Sequence, residues 1–452
     1  MVLTRRDVLK GLGVGALMAA GARRTAADPA RRPNIVLIMA DDLGYECVGA
    51  YGSTLKTPHL DGAAARGMRF SHCYAQPLCT PSRVQIMTGK YNHRNYEAFG
   101  YLNPAETTFA NVLKSAGYAT CIAGKWQLSG DAGTVRHFGF DEHCLWNMHP
   151  YKEAKGSPSA NEPPEWRERY RNPTLYRNGE WIRPGADAYG PDVCCDFLLS
   201  FMERHRNRPF CVYYPMVLTH SPFVPTPDSP DWDRPRKGKE AKQRHFAEMV
   251  AYTDKLVGRI EAKLSELGLM ENTVVLFTGD NGTHGSIRTP MKDGSEIKGG
   301  KGKTKDAGTR VPLIVWGKGV RRGAQADALV DFTDIMPTLL DIAGVPRPGT
   351  VQWDGHSLKP VLAGERESTR DVVFCYYEPR WGKKSRRQVF ARDRDYKVYD
   401  DGRFYHITAD VLEKSDLSKG RLSPEQAAAR DRLSACLRRI LESGPGAAPV
   451  RK

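Results

Sequence analysis

Beyond its N-terminal stretch, this chain of 452 residues has no uninterrupted apolar run near the roughly 18 residues that cross a bilayer, so no membrane span is expected. Its ten cysteines include no CxxC pair and no Cys/His spacing of the zinc type, which excludes a structural zinc site. Repeats and low-complexity segments are absent, so a solenoid is excluded. No nucleic-acid motif accompanies the lysines and arginines, which are scattered apart from clusters at 234–242 and 383–387. They read as solvated surface, and no nucleic-acid partner is expected. What remains is a soluble-type composition, 40% hydrophobic and 26% charged with a mean hydropathy of −0.52, long enough for one large α/β domain and a smaller one.

The chain opens with Thr4-Arg5-Arg6-Asp7-Val8-Leu9-Lys10, a twin-arginine pattern, followed by a Gly/Ala-rich apolar stretch from Gly11 to Ala22 and small residues at Thr25-Ala26-Ala27. That order reads as a Tat-type export signal over 1–27, which implies the Tat machinery as a partner and a periplasmic or secreted bacterial protein. Its removal takes away Arg5, Arg6, Lys10, Arg23, Arg24 and Asp7 and lowers the net charge from +15 to +11. The remaining positive field concentrates anions in general. A Tat substrate folds in a reducing compartment, so the cysteines, Cys194-Cys195 included, are expected as free, buried small hydrophobes.

After a Pro-containing linker, Asn34–Ala40 is a continuous apolar run that ends in Asp41-Asp42. The pattern recurs where Cys211–Val217 leads to Thr219-His220 and where Thr273–Thr278 leads to Gly279-Asp280-Asn281-Gly282. Strands buried on both faces, with polar residues at their carboxyl ends, are how an open parallel sheet builds a site. Helical periodicity at Thr108–Ala116 and Phe246–Leu267, with a strand at Tyr118–Ala123, completes an α/β doubly wound reading. Residues 150–190 and 222–244 are rich in Pro, Gly and charge and read as long surface excursions. The expected division is a catalytic domain over 28–363 and a small α+β subdomain over 364–452. The latter holds short strands at Val372–Tyr377, Gln388–Arg392, Tyr396–Tyr399 and Arg403–His406 and a final helix, Pro424–Leu441.

Cys79-Thr80-Pro81-Ser82-Arg83, continuing to Thr88-Gly89-Lys90, resembles the CxPSR signature of the type I, formylglycine-dependent sulfatases, arylsulfatase-like members of the alkaline phosphatase superfamily. The resemblance implies that fold, a large mostly parallel sheet between helices with a small C-terminal antiparallel sheet. It also implies that a maturation enzyme oxidises Cys79 to formylglycine, whose hydrate attacks sulfur and then expels sulfate from a formylglycine-sulfate intermediate. A plain thiol could not perform the second step.

Asp41, Asp42, Asp280 and Asn281 are hard oxygen donors, suited to calcium rather than zinc. The resemblance maps them, with Cys79 beside them, onto the family's Ca²⁺ site. Gly124-Lys125-Trp126-Gln127-Leu128 resembles GKWHLG, with Gln127 where the family carries a histidine; a neutral amide cannot take up a proton, and His72, His149 and His284 are the alternative bases. Gln127, His149 and His284 are accordingly expected to face substrate. Thr219-His220-Ser221-Pro222-Phe223 resembles HxPF, which assigns His220 to the departing alcohol. The stretch 299–312 resembles GGKGxxxEGGxRVP, with Asp306-Ala307 in place of Glu-Gly, and makes Lys301 a sulfate contact. Arg83, Lys125 and Lys301 would together cradle the sulfate.

The expected activity is hydrolysis of sulfate esters, on a sulfated carbohydrate. The alternatives are a formylglycine-dependent phosphonate or phosphate ester hydrolase, and a non-catalytic binder of sulfated glycan.

Overall fold

The computed structural model describes residues 32–146, 148, 168–380 and 386–444. The export signal read over 1–27, His149 and residues 150–167 of the first excursion lie outside the described residues.

Strands follow in chain order as β1 (Asn34–Ala40), β2 (Met68–Tyr74), β3 (Ala119–Lys125), β4 (Glu142–Trp146), β5 (Leu175–Arg177), β6 (Glu180–Ile182), β7 (Phe210–Pro215) and β8 (Thr273–Gly279). A hairpin, β9 (Arg288–Pro290) and β10 (Glu296–Lys298), precedes β11 (Arg310–Gly317) and β12 (Ala324–Asp331). Apart from the hairpin these form one ten-stranded sheet in the order β12-β2-β11-β8-β1-β7-β3-β4-β5-β6. Its centre, from β8 through β1, β7 and β3 to β4, is parallel throughout.

All seven residues of β1 are buried, and alternation sends them to opposite faces. Ile35, Leu37 and Met39 join the core on one face, with Phe109, Ile122 and Leu339. Val36, Ile38 and Ala40 join the other, with Phe246, Leu256 and Ile260 of the long helix Lys239–Glu266. An apolar run with no polar alternation is thus the mark of a strand covered by helices on both sides. Thr108 N-caps the helix Phe109–Ser115, its hydroxyl accepting from the Asn111 amide at 3.2 Å.

Strands β13 (Val373–Tyr377), β14 (Gln388–Arg392), β15 (Tyr396–Tyr399) and β16 (Phe404–His406) form a separate antiparallel sheet in sequential order. Ala429, Leu433 and Leu437 of the helix Pro424–Glu442 pack on Phe374, Val389 and Val398 of that sheet. The mostly parallel sheet and small antiparallel one are the fold class expected from the sequence.

Three element boundaries differ from expectation. The helix expected from Phe246 starts at Lys239, inside the second excursion; its first turns are dominated by charge and bury only Ala241 and His245, which make no apolar stripe. The first excursion contains β5 and β6, which extend the sheet edge beyond β4. Strand β7 stops at Pro215, which has no amide hydrogen to give a ladder. The described cysteines are all free, and all but Cys436 are buried. Among the described residues no helix is long and apolar enough to cross a membrane.

Candidate active site

Four neighbouring strands end at one place. Asp41-Asp42 leave β1, Lys125 closes β3, Thr219-His220 follow β7 and Asp280-Asn281 follow β8. Opposite them, Cys79 is the first residue of the helix Cys79–Thr88, and Arg83 lies one turn further on. The helix N-terminus directs its unpaired amides and positive dipole end to Cys79 and its surroundings, which favours an anion there. Gly89 ends the helix at φ 67°, with its amide on the Gln85 carbonyl at 2.9 Å. Lys301 comes from the loop between β10 and β11. Gly282 is required where that loop crosses, since a Cβ there would lie 1.9 Å from the Ala307 carbonyl oxygen.

Carboxylates and cations alternate across the site. Lys125 Nζ donates to Asp41 Oδ2 at 2.8 Å. Lys301 Nζ lies 2.6 Å from Asp42 Oδ1 and 2.7 Å from Oδ2. Arg83 donates to Asp280 Oδ2 at 3.0 Å and to the Lys125 carbonyl at 3.0 Å. The Asp42 amide donates to Asp280 Oδ1 at 3.0 Å, and Asn281 Nδ2 to Asp42 Oδ1 at 2.9 Å. Asp42 adopts φ 60°, a left-handed conformation that costs of order 1 kcal/mol and turns its carboxylate into the cluster.

Two buried oxygens, Asp41 Oδ1 and Asn281 Oδ1, have no hydrogen-bond partner among the described residues. Buried acceptors are rarely left so, and here they belong to a four-residue set of hard oxygen donors. The residues present therefore fit a divalent hard cation.

The charges act on one another strongly at this depth. Burial alone would raise the Asp41 carboxyl, but the cations Lys125, Arg83 and Lys301 outweigh it and hold the group well below the usual range. Asp42 is likewise held low, chiefly by Lys301 against burial. Asp280 is pushed up to about 7 by burial and by the neighbouring Asp41 charge. Burial brings His220 down to about 4, which leaves its ring neutral near pH 7. The Cys79 thiol is raised by burial, against the pull of Lys125 and Lys301, so it is protonated and poorly nucleophilic as it stands.

Cys79, Arg83, Lys125, His220, Lys301, Asp41, Asp42, Asp280 and Asn281 thus meet at one cluster. Gln127 follows Lys125 at φ 54°, half-buried, with its Oε1 buried and without a partner among the described residues. His284 stands at the rim, where its ring feels Asp42 and Lys301 while Nδ1 lies 2.9 Å from Ser286 Oγ. His72 does not belong to the site: its ring lies along β2 beside Tyr74 and faces Arg310, Arg392 and Asp306. It is therefore removed as a substitute base.

Sequence reasoning missed the pair Arg169-Tyr170. Arg169 Nη2 reaches His220 Nδ1 at 3.2 Å and also donates to the Ser221 carbonyl. The Tyr170 hydroxyl donates to the carbonyls of Val217, at 2.9 Å, and His220. Nothing in the charged run Glu165–Arg171 marks either residue; only docking of the excursion brings them to β7. Tyr377 of β13 was missed as well: it is buried, and Cys79 and Lys301 act on its hydroxyl.

Comparison with known proteins gives a consistent picture. The family model described as Sulfatase matches residues 33–345, and that described as N-sulphoglucosamine sulphohydrolase, C-terminal, matches 301–425. Human arylsulfatase A is 32% identical over 82% of this chain and 75% of its own length. The N-acetylglucosamine-6-O-sulfatase of Bacteroides thetaiotaomicron is 25% identical over 90% of this chain and 86% of its own. The crystal structure of Ps i-CgsB in complex with k-i-k-neocarrahexaose superimposes with a TM-score of 0.75 at 24% identity, covering 93% of this chain and 95% of that one.

Proposed function

From the premise that this chain belongs to the sulfatase family and is a sulfuric ester hydrolase, we propose that it is an exported, calcium-dependent enzyme whose nucleophile is formylglycine at position 79 and whose substrate is a sulfated carbohydrate. The observation that carries this reading is Cys79, in the pentapeptide Cys79–Arg83, at a helix N-terminus beside Arg83, Lys125 and Lys301.

The residues divide the work. Asp41, Asp42, Asp280 and Asn281 would hold the metal, which would supply charge neutralisation for the sulfate oxygens and polarise sulfur. Oxidised and hydrated, residue 79 would supply one hydroxyl for attack and a second for release of sulfate. Arg83, Lys125 and Lys301 orient the anion and balance charge as it shifts during transfer. His220 and Lys301 assist the departing alcohol. Gln127 and His284 are positioned to meet substrate at the rim.

The carbohydrate assignment is supported by the basic chain and by the sugar-directed name of the Bacteroides relative. The twin-arginine start supports Tat export to the periplasm or beyond.

Mass spectrometry of the Cys79 peptide from the native host, with turnover of aryl and carbohydrate sulfates before and after chelation, tests the proposal. An aldehyde or hydrate at 79 and calcium-restored turnover are expected. An unmodified thiol throughout the population would overturn the nucleophile. Faster turnover of phosphonate than sulfate esters would overturn the assigned activity.

A further inference from the structure

The segment that carries Arg169 is fixed in place by its backbone. The Gly190 amide donates to the Tyr170 carbonyl at 2.7 Å, the Asn172 amide to the Ala188 carbonyl at 2.9 Å, and Arg171 pairs with Tyr189. Gly190 admits this contact, since a Cβ there would lie 1.9 Å from the Arg169 carbonyl oxygen. The Arg169 guanidinium lies over the Trp146 ring, with Cζ 4.4 Å from its centroid, and cannot swing away without losing that stack. One nitrogen, Nη2, meets two atoms of the His220 segment: the Ser221 carbonyl oxygen and, at 3.2 Å, the ring atom Nδ1, which itself lies 2.7 Å from that carbonyl oxygen. On the far side of the ring, Nε2 faces the cluster, 3.8 Å from Asp42 Oδ2.

A guanidinium carries donors only and is not deprotonated in proteins, so a ring nitrogen that receives its hydrogen must present a lone pair. The two hydrogens of Nη2 can serve the Ser221 carbonyl and Nδ1 together. We infer that Arg169 is a positioning residue that holds His220 as the tautomer bearing its hydrogen on Nε2, pointed at the ester oxygen that leaves sulfur. This inference rests on the proposed sulfatase mechanism for its consequence, though not for its geometry. His220 then gives a hydrogen bond to the oxygen as the S–O bond breaks and the bond's electron pair moves onto that oxygen. The ring keeps its hydrogen, and the alcohol takes its proton from Lys301 or water. Without Arg169, Nδ1, which lies 2.7 Å from the Ser221 carbonyl oxygen, can carry the hydrogen itself and give it to that oxygen. Nε2 then turns a lone pair toward the leaving group.

A donor at the leaving oxygen matters most when that oxygen holds charge poorly. In the full-length mature protein, Arg169→Met is expected to lower kcat/KM for phenyl sulfate by about 10²-fold while that for 4-nitrophenyl sulfate stays within about threefold. Arg169→Lys keeps the charge without the fork and is expected to recover part of the loss on phenyl sulfate only. A merely structural role would slow both esters alike, and equal losses would overturn the inference. Long-range nitrogen–proton NMR on histidine-labelled protein, with His220→Asn to identify the signal, reads the tautomer without any turnover. Hydrogen on Nε2 in the wild type, with a shift toward Nδ1 in Arg169→Met, is expected. Hydrogen on Nδ1 in the wild type would overturn the inference even in an active enzyme. A protein that hydrolyses neither of these esters nor any carbohydrate sulfate but shows the Nε2 form would overturn the proposed function and leave the tautomer standing.

Discussion

Lys301 Nζ and Asp42 Oδ1 are 2.6 Å apart, in a pair whose carboxylate is fully buried and whose lysine side chain is 15% exposed. An ammonium seated on a candidate metal ligand is well placed to turn to a sulfate oxygen when both sites fill. Lys301→Ala is therefore expected to lower kcat by about 10²–10³-fold, the usual cost of removing a preorganised donor from a site of developing charge. Steady-state turnover of an aryl sulfate with saturating calcium checks this. A change of less than about threefold would mean that the ammonium serves Asp42 alone.

The loop that carries Lys301 is tied to the C-terminal sheet by a buried network. Lys397 Nζ donates to Glu413 Oε1 at 2.8 Å and to the Thr304 carbonyl, and Tyr399 gives its hydroxyl hydrogen to Glu413 Oε2 at 2.7 Å. Both members of the ion pair are at most 3% exposed. Lys397→Met would leave a buried carboxylate without its cation and is expected to destabilise the protein by about 3–5 kcal/mol. Lys397→Met with Glu413→Gln should recover much of that in denaturant unfolding, because the orphaned charge is gone. A double variant no more stable than the single one would contradict the explanation.

The placement of the acids was readable because β1 and β8 each run through an unbroken apolar stretch, Ile35–Ala40 and Val274–Phe277, before polar residues follow toward the carboxyl end. Cys79 and Arg83 were readable because they lie within one pentapeptide on one helix turn. What could not be read depends on contacts distant in sequence. Arg169 acquires its partner only when the excursion docks against Gly190, and the Lys397–Thr304 tether crosses between two sheets. His72 was a plausible base by residue type, but residue type does not say which edge of β2 a ring follows. The early start at Lys239 was hidden for the opposite reason: charged helical turns that bury only an alanine and a histidine show no apolar period.

Asp331 sits at the end of β12 and accepts from Gln85 of the helix Cys79–Thr88 at 2.8 Å. Burial, with the Asp334 charge beside it, pushes its carboxyl up to about 7 despite Arg370, from an ordinary value of 3.8. The folded protein thus keeps a proton that the unfolded chain gives up between those values. The contribution to stability is complete below 3.8 and is lost as pH rises through about 7. Asp331→Asn removes the titration while its Oδ1 can still accept from Gln85. The difference in Tm between wild type and variant should therefore move against the wild type as pH rises across this window. A difference independent of pH would refute the assignment.

Gln127 stands where the motif that the rest of the proposed site follows carries a histidine. Its Oε1 is buried without a donor among the described residues, and its backbone is left-handed at φ 54°, a conformation that histidine tolerates better than most residues. Gln127→His should therefore fold, and it places a proton acceptor beside Lys125 where an amide can only hydrogen-bond. Turnover is expected to persist, with faster sulfate release. Pre-steady-state measurement with 4-nitrophenyl sulfate separates the steps, since nitrophenol appears on attack and sulfate on release. A smaller burst relative to the steady rate would show that release has been accelerated. Complete loss of turnover with calcium binding intact would instead show that the amide itself is required, and that this chain releases sulfate through a hydrogen bond that a histidine ring cannot reproduce.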